Sequence, residues 1–308
     1  MKNKVSPTGV DNISEFHLEP TNICTLKCPG CARTRFIENW PGNWTNHSID
    51  IDQLFKFLDI DLSGKTISLC GNYGDPIYHP EFHVLVERIK QSGASISIDT
   101  NGSYRNREWW TRLAGLVDGQ DTIKFSIDGL PDNFTNYRIN ADWESIKIGI
   151  EIMTKTDCKI IWKFIPFSYN QFNIEEAKRL SIELGMDEFQ VVCSDRFDAK
   201  TQHLLPTVDF LGKKFNAQTQ FKNNVPQTVD PKCHQGQEHF ISATGHYVSC
   251  CYAADHRFYY KTEFGKNQQS YHISTTTLSQ VLAAPVVIDF YDKVTAHSVC
   301  QYNCPSKT

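Results

Sequence analysis

Short apolar-rich runs recur along the first two thirds of the chain, at Phe16–Leu18, Thr66–Leu69, Ser95–Ile98, Thr122–Ile127, Lys159–Ile165 and Glu188–Val192. Between them lie segments with helical apolar spacing: Ile51–Leu58, Phe82–Ile89, Trp109–Val117, Trp143–Met153 and Ile174–Leu184. Strands that alternate with helices of about ten residues predict an α/β fold, a parallel sheet with helices outside. Six strands are too few for a closed eight-stranded barrel. A partial (β/α)6 barrel or a doubly wound sheet remains, and either one sets its active residues at the carboxyl ends of the strands.

The pattern changes near residue 195. Polar stretches and prolines fill 196–232, as in a linker. His239–Ser249 then alternates around Thr244-Gly245 as a β-hairpin. Leu278–Val294 has helical spacing except at Pro285, which should end or kink the helix. The predicted organisation is therefore a barrel over 12–195, a linker over 196–232 and a small cysteine-rich α+β appendage over 233–308.

Composition excludes several classes. With 308 residues, 40% of them hydrophobic, the chain can bury a substantial core. A net charge of −4 with scattered Lys and Arg argues against sequence-independent binding of nucleic acid. No apolar run approaches the roughly 20 residues that span a bilayer, and the N-terminus has no signal-like apolar segment. A soluble, cytoplasmic protein is expected, with no membrane partner.

Eleven cysteines in a chain with no secretion signal point to metal or redox roles rather than disulfides. Cys24, Cys28 and Cys31 share one short loop after the first predicted strand. Three thiols so spaced can hold three irons of a [4Fe-4S] cube and leave the fourth open to a small molecule. They also suit a zinc knuckle or a simple electron-transfer cluster, so their surroundings decide.

Those surroundings are unusual. The second predicted strand runs into Cys70-Gly-Asn-Tyr-Gly-Asp-Pro76, a glycine-rich bend whose Asp75 can take an ammonium group. The third ends in Asp99-Thr-Asn-Gly102 and the fourth in Ser126-Ile-Asp-Gly129. Each Asn-Gly or Asp-Gly pair alone is an ordinary turn signal. Their recurrence at successive strand ends, downstream of the cysteine loop, suggests a ligand site.

Together these segments resemble the radical S-adenosylmethionine (radical SAM) enzymes. The cluster loop of that family is matched by Leu18-Glu-Pro-Thr-Asn-Ile-Cys-Thr-Leu-Lys-Cys-Pro-Gly-Cys-Ala-Arg33. Gly74-Asp75-Pro76 resembles its Gly-Gly-Glu-Pro turn with Asp in place of Glu, while Thr100-Asn-Gly, Ser126-Ile-Asp-Gly and Arg138 match later signatures. The resemblance implies a [4Fe-4S] cluster on Cys24, Cys28 and Cys31, with SAM at the open iron. One electron then cleaves the sulfonium to a 5′-deoxyadenosyl radical that abstracts hydrogen from a substrate. It further implies that Asp75 accepts from the methionyl ammonium and that Ser126 and Arg138 hold the carboxylate, with Asn101 and Asp128 as further SAM contacts. An electron donor such as flavodoxin or ferredoxin is implied as partner.

The later cysteines need their own account. A hairpin and a helix bury little surface, so a metal staple is expected, and four thiolates suit zinc or an iron-sulfur cluster. The spacing Cys233…Gly245-His-Tyr-Val-Ser-Cys250…Cys300-Gln-Tyr-Asn-Cys304 resembles the twitch appendage, a shortened SPASM domain of some radical SAM enzymes. That resemblance implies an auxiliary [4Fe-4S] cluster on Cys233, Cys250, Cys300 and Cys304, with Cys251 an alternative to Cys250.

Other residues carry weaker signals. Cys193, at the end of the sixth strand, can face the substrate as hydrogen donor or contact, or be a small buried hydrophobe like Cys70 and Cys158. Lys163, Asp195 and Arg196 can contact ligand or form rim salt bridges. His79 and His83 flank a helix start and read as surface. The expected activity is oxidation or crosslinking of a peptide or small polar metabolite. Epimerisation and a non-SAM zinc or iron-sulfur module are the alternatives.

Overall fold

The structure, a computed structural model, describes residue 9 and residues 12–194, 196–208, 229–255, 259–293 and 298–304. Six parallel strands, β1 (Glu15–Leu18), β2 (Thr66–Leu69), β3 (Ser95–Thr100), β4 (Thr122–Ser126), β5 (Lys159–Phe164) and β6 (Glu188–Val191), pair in chain order. Helices α1 (Ala32–Asn39), α2 (Ile51–Phe57), α3 (Phe82–Gln91), α4 (Arg107–Ala114), α5 (Trp143–Met153) and α6 (Ile174–Glu183) connect them. The α/β architecture with a parallel sheet is as expected. α1, which directly follows the cysteine loop, has no clear apolar period and was not anticipated.

Local signals start the helices. Asp50, Asn106 and Asp142 precede α2, α4 and α5, and their side chains accept from Gln53, Trp109 and Ser145 N–H. The core lies between strands and helices. Along β4, Ile123 and Phe125 are buried on the helix side, while Lys124 and Ser126 take the other face. The same alternation sends Phe16 and Leu18, Ile96 and Ile98, and Trp162 and Phe164 outward. It leaves His17, Asp99 and Lys163 on the inner face. The barrel interior is thus polar, although the strands read as apolar runs.

The C-terminal part joins this sheet instead of standing apart. β7 (His239–Ile241) pairs parallel with β1, and β8 (Tyr247–Val248) pairs antiparallel with β7, giving the order β6-β5-β4-β3-β2-β1-β7-β8. Phe240, Tyr247, Phe264, Leu278 and Val287 belong to the same apolar cluster as the barrel residues. After the short helix α7 (Glu263–Lys266), the break expected at Pro285 divides the last apolar segment into α8 (Leu278–Leu282) and α9 (Pro285–Asp292). Of the expected linker, 196–208 packs on the barrel: Leu204 is buried with Leu26 and Cys28. Residues 209–228 lie outside the described residues.

One expectation is corrected. His79 and His83 are buried, not surface, and their Nε2 atoms lie 3.0 Å from the Ile49 and Trp109 carbonyls. Main-chain carbonyls at the neighbouring elements satisfy both rings.

Candidate active site

The loop from β1 to α1 carries the three early cysteines, and its own backbone turns them to one side. Cys31 immediately precedes α1, and its N–H donates to the Cys28 carbonyl at 3.0 Å. The Leu26 N–H donates to Cys24 Sγ at 3.4 Å. Leu26 and Cys28 pack with Tyr137, Phe167 and Leu204, where the Tyr137 and Phe167 rings stack at 4.2 Å. Burial pushes the Cys24 thiol up to about 12 and the Cys28 thiol up to about 11, the latter against the pull of Arg138. A metal that takes these sulfurs as thiolates must therefore displace protons.

All three cysteines line a cavity of about 470 Å³ at the carboxyl ends of the strands. Asp75, Asn101, Ser126, Arg138 and Cys193 line it with them, as do Lys163 and Arg196. Asp195 lies outside the described residues.

Glu19 braces the loop after β2, whose residues 71–75 line this cavity, a role that the sequence does not predict. Its buried carboxylate accepts from Tyr73 N–H at 2.7 Å and Gly74 N–H at 3.2 Å. Gly74 is obligatory at this crossing, because a Cβ there would sit 1.8 Å from the Thr21 carbonyl oxygen. Next in the chain, Asp75 N–H donates to the Ile23 carbonyl at 3.0 Å. An acid directly after the first strand, facing a glycine-rich turn after the second, is the sequence signal for this lock.

Asp75 is buried and turned toward the chain. Its Oδ1 accepts from Thr100 Oγ1 at 2.8 Å and Ile77 N–H at 3.3 Å. Its Oδ2 accepts from the backbone N–H of Asn101 at 2.6 Å and from the Asn101 side-chain amide. Burial lifts its carboxyl to about 6 even against these donors. The Asn101 amide also reaches Cys24 Sγ at 3.7 Å, so Asp75 holds a cavity residue in contact with a cysteine.

Asp128 stands behind the cavity instead of lining it. Its Oδ2 accepts from Arg138 Nε at 2.6 Å and its Oδ1 from Ile165 N–H at 2.9 Å, with the side chain fully buried. The pair leaves the terminal nitrogens of Arg138 for other partners. On the inner face, Lys163 pairs with Asp99 at 2.5 Å and Lys124 approaches the same carboxylate at 3.6 Å.

The later cysteines also converge. Cys233, Cys250, Cys300 and Cys304 line a second cavity with Lys232, Glu238 and Tyr252. Gly236, with φ +75°, lets the turn after Cys233 press on Asn12, where a Cβ would lie 1.7 Å from a carbonyl oxygen. Cys300 lies on α10 (Ser298–Asn303), and Cys304 follows it. Cys251 does not line this cavity; its thiol donates to Glu238 Oε2 at 2.7 Å. Cys250 is therefore the member of the adjacent pair that joins the other three.

Comparison with known proteins decides the family. The model of the radical SAM superfamily matches residues 18–180, more than half of the chain. The chain belongs to the radical SAM superfamily. That family implies a [4Fe-4S] cluster and SAM. A tungsten-containing aldehyde ferredoxin oxidoreductase cofactor-modifying protein of Pyrococcus furiosus is 32% identical over 198 residues, covering 57% of this chain and 50% of that protein. An S-adenosylmethionine-dependent nucleotide dehydratase of a Thermoplasmatales archaeon is 27% identical over 127 residues, 41% of each chain. The chain thus spans half or less of the length of these curated relatives. SuiB of Streptococcus suis has the same fold, with a TM-score of 0.62 at 13% identity over 92% of this chain and 68% of that one. So does anSMEcpe, with a TM-score of 0.57 at 12% identity over 94% and 88%. No helix among the described residues is long and apolar enough to cross a membrane.

Proposed function

We propose that this protein is a radical SAM enzyme with two [4Fe-4S] clusters, which oxidises or crosslinks a small polar metabolite or a peptide. The observation that carries it is the cavity on which Cys24, Cys28 and Cys31 meet Asn101, Ser126 and Arg138. A zinc knuckle has no use for the last three. Cys24, Cys28 and Cys31 hold the first cluster and Cys233, Cys250, Cys300 and Cys304 the second, in a twitch-like appendage.

Among the described residues, neither cysteine set brings three sulfurs within 4.8 Å of one another, looser than the about 3.8 Å of a tetrahedral zinc–thiolate site.

When bound, the first cluster supplies the electron that breaks SAM into methionine and the hydrogen-abstracting 5′-deoxyadenosyl radical. The chain's own residues place the reactants. Arg138, fixed through Nε by Asp128, offers its remaining N–H groups to the methionyl carboxylate, beside Ser126. Asp75 takes the ammonium by exchanging it for the Asn101 amide, which already competes for the same oxygen. Lys163, Asp99 and Arg196 make the rest of the cavity polar, in keeping with a polar substrate. The curated relatives, named for a cofactor and a nucleotide, favour a small molecule over a peptide. Cys193 lines the same cavity, which supports a role as substrate contact or hydrogen donor.

Anaerobic reconstitution should yield about eight irons per chain, four per cluster. Replacing Cys24, Cys28 and Cys31 together by Ala should leave about half of the iron and abolish 5′-deoxyadenosine formation. A triple variant that still cleaves SAM, or a protein that takes up zinc alone, refutes the reading.

A further inference from the structure

A third constellation lies between the two cysteine cavities. His17 on β1, Glu238 just before β7 and Cys251 just after β8 each offer one ligand atom, and the three atoms all lie within 4.8 Å of one another. The Cys251 thiol donates to Glu238 Oε2 at 2.7 Å, and His17 Nε2 lies 3.7 Å from the same oxygen. One nitrogen, one oxygen and one sulfur around a common point match the mixed donor set of three-ligand zinc sites, in which the fourth position stays open. Bonds of about 2.0–2.3 Å in a tetrahedron separate such donors by about 3.3–3.6 Å, so the Cys251–Glu238 and His17–Glu238 pairs need shift by less than 1 Å and the His17–Cys251 pair by no more than about 1.2 Å.

The surroundings are those of held ligands. Lys232 Nζ reaches the other Glu238 oxygen at 3.2 Å, which fixes the carboxylate plane. Glu15 approaches His17 Nε2 at 3.4 Å and itself accepts from Ser68 Oγ at 2.5 Å. Cys70 Sγ lies 3.5 Å from His17 Nδ1. Lys232 at Glu238 and Cys70 at His17 Nδ1 stand on the outer side of ligating groups, where partners orient them toward a metal, whereas Glu15 faces Nε2 itself as a further carboxylate on the metal side. Independently, Glu238 is buried with φ +75°, a region that a residue with a side chain enters only under constraint. Pairing of β7 with β1 and the Cys251 N–H bond to the Glu238 carbonyl at 2.8 Å hold it there.

We propose that His17, Glu238 and Cys251 bind a single divalent cation of the zinc type, separate from both cysteine sets. The site adjoins the SAM cavity, since His17 and Cys70 line that cavity while Glu238 lines the other. Its open position then suits a substrate oxygen, nitrogen or sulfur atom. This goes beyond the proposed function, and iron content and 5′-deoxyadenosine formation test that function separately.

The test is to reconstitute the protein with iron and sulfide, equilibrate it with zinc, remove loose metal and count bound zinc. X-ray absorption at the zinc edge then reports the ligands. About one zinc per chain with one sulfur and the rest nitrogen or oxygen is expected. Retention should fall at least tenfold in His17→Gln and Glu238→Gln with iron unchanged. Cys251→Ser, nearly isosteric, should keep the iron and remove the sulfur from the zinc shell, which guards against a misfolded variant. No retained zinc, an all-sulfur shell, or zinc binding indifferent to all three substitutions overturns the proposal.

Discussion

Asp128→Asn is the most informative substitution for the mechanism, because it changes one buried charge with almost no change in shape. Asp128 accepts from two donors, Arg138 Nε at 2.6 Å and Ile165 N–H at 2.9 Å, one on each oxygen. Asparagine keeps one acceptor and turns an NH2 group toward the other donor. Losing the charge assistance to Arg138 costs about 1–2 kcal/mol, and one buried N–H left unpaired costs about 1–3 kcal/mol. The expected loss is therefore about 2–5 kcal/mol, comparable to that of breaking a buried ion pair. Urea unfolding under anaerobic, reducing conditions measures it. A guanidinium that loses its brace should also hold the methionyl carboxylate less well. A weakening of about 1.4 kcal/mol would raise the KM for SAM tenfold in 5′-deoxyadenosine formation. Arg138→Lys, which keeps the charge but loses the fork, should show the same KM shift. If Asp128→Asn leaves both the unfolding midpoint and the KM at wild-type values, Arg138 is not positioned by Asp128 and its assignment to the carboxylate fails.

Two further predictions concern stability. His239 is fully buried beside Phe16, and burial lowers its ring from 6.5 to about 4. The unfolded chain therefore binds a proton that the folded chain refuses, so stability falls as pH drops from about 6.5 toward 4, by up to about 3 kcal/mol. His239→Gln should flatten that slope by one proton in urea midpoints taken at several pH values, leaving the parts due to His246, which burial also lowers to about 4, and to His79 and His83, which burial lowers too; identical slopes would refute the reading. At Gly74, the collision of an added Cβ with the Thr21 carbonyl should make Gly74→Ala lose more than the about 1–3 kcal/mol typical of overpacking. Gly119→Ala, whose nearest contact is 3.6 Å, should lie within about 1 kcal/mol of wild type. Equal effects at the two glycines would count against the close loop crossing.

Much of the barrel and of its cysteine loop was readable from local pattern alone. The strands at Thr66–Leu69 and Lys159–Phe164 and the helix at Trp143–Met153 follow from periodicity and capping, which act over a few residues. Cys24, Cys28 and Cys31 share a loop by sequence spacing, and the motifs at Asn101, Ser126 and Arg138 point to a common ligand. Three features depended on contacts between distant segments. The parallel pairing of β7 with β1 joins residues more than 200 apart, and it brings Glu238 and Cys251 to His17. The split of Asp128 from the cavity, and its use as a brace for Arg138, depends on which face of a turn each carboxylate takes. The choice of Cys250 over Cys251 likewise follows from the turn after β8, where the two neighbours point to different partners. Spacing determines which residues a loop carries; the direction of each side chain is decided only when separate loops close on the same space.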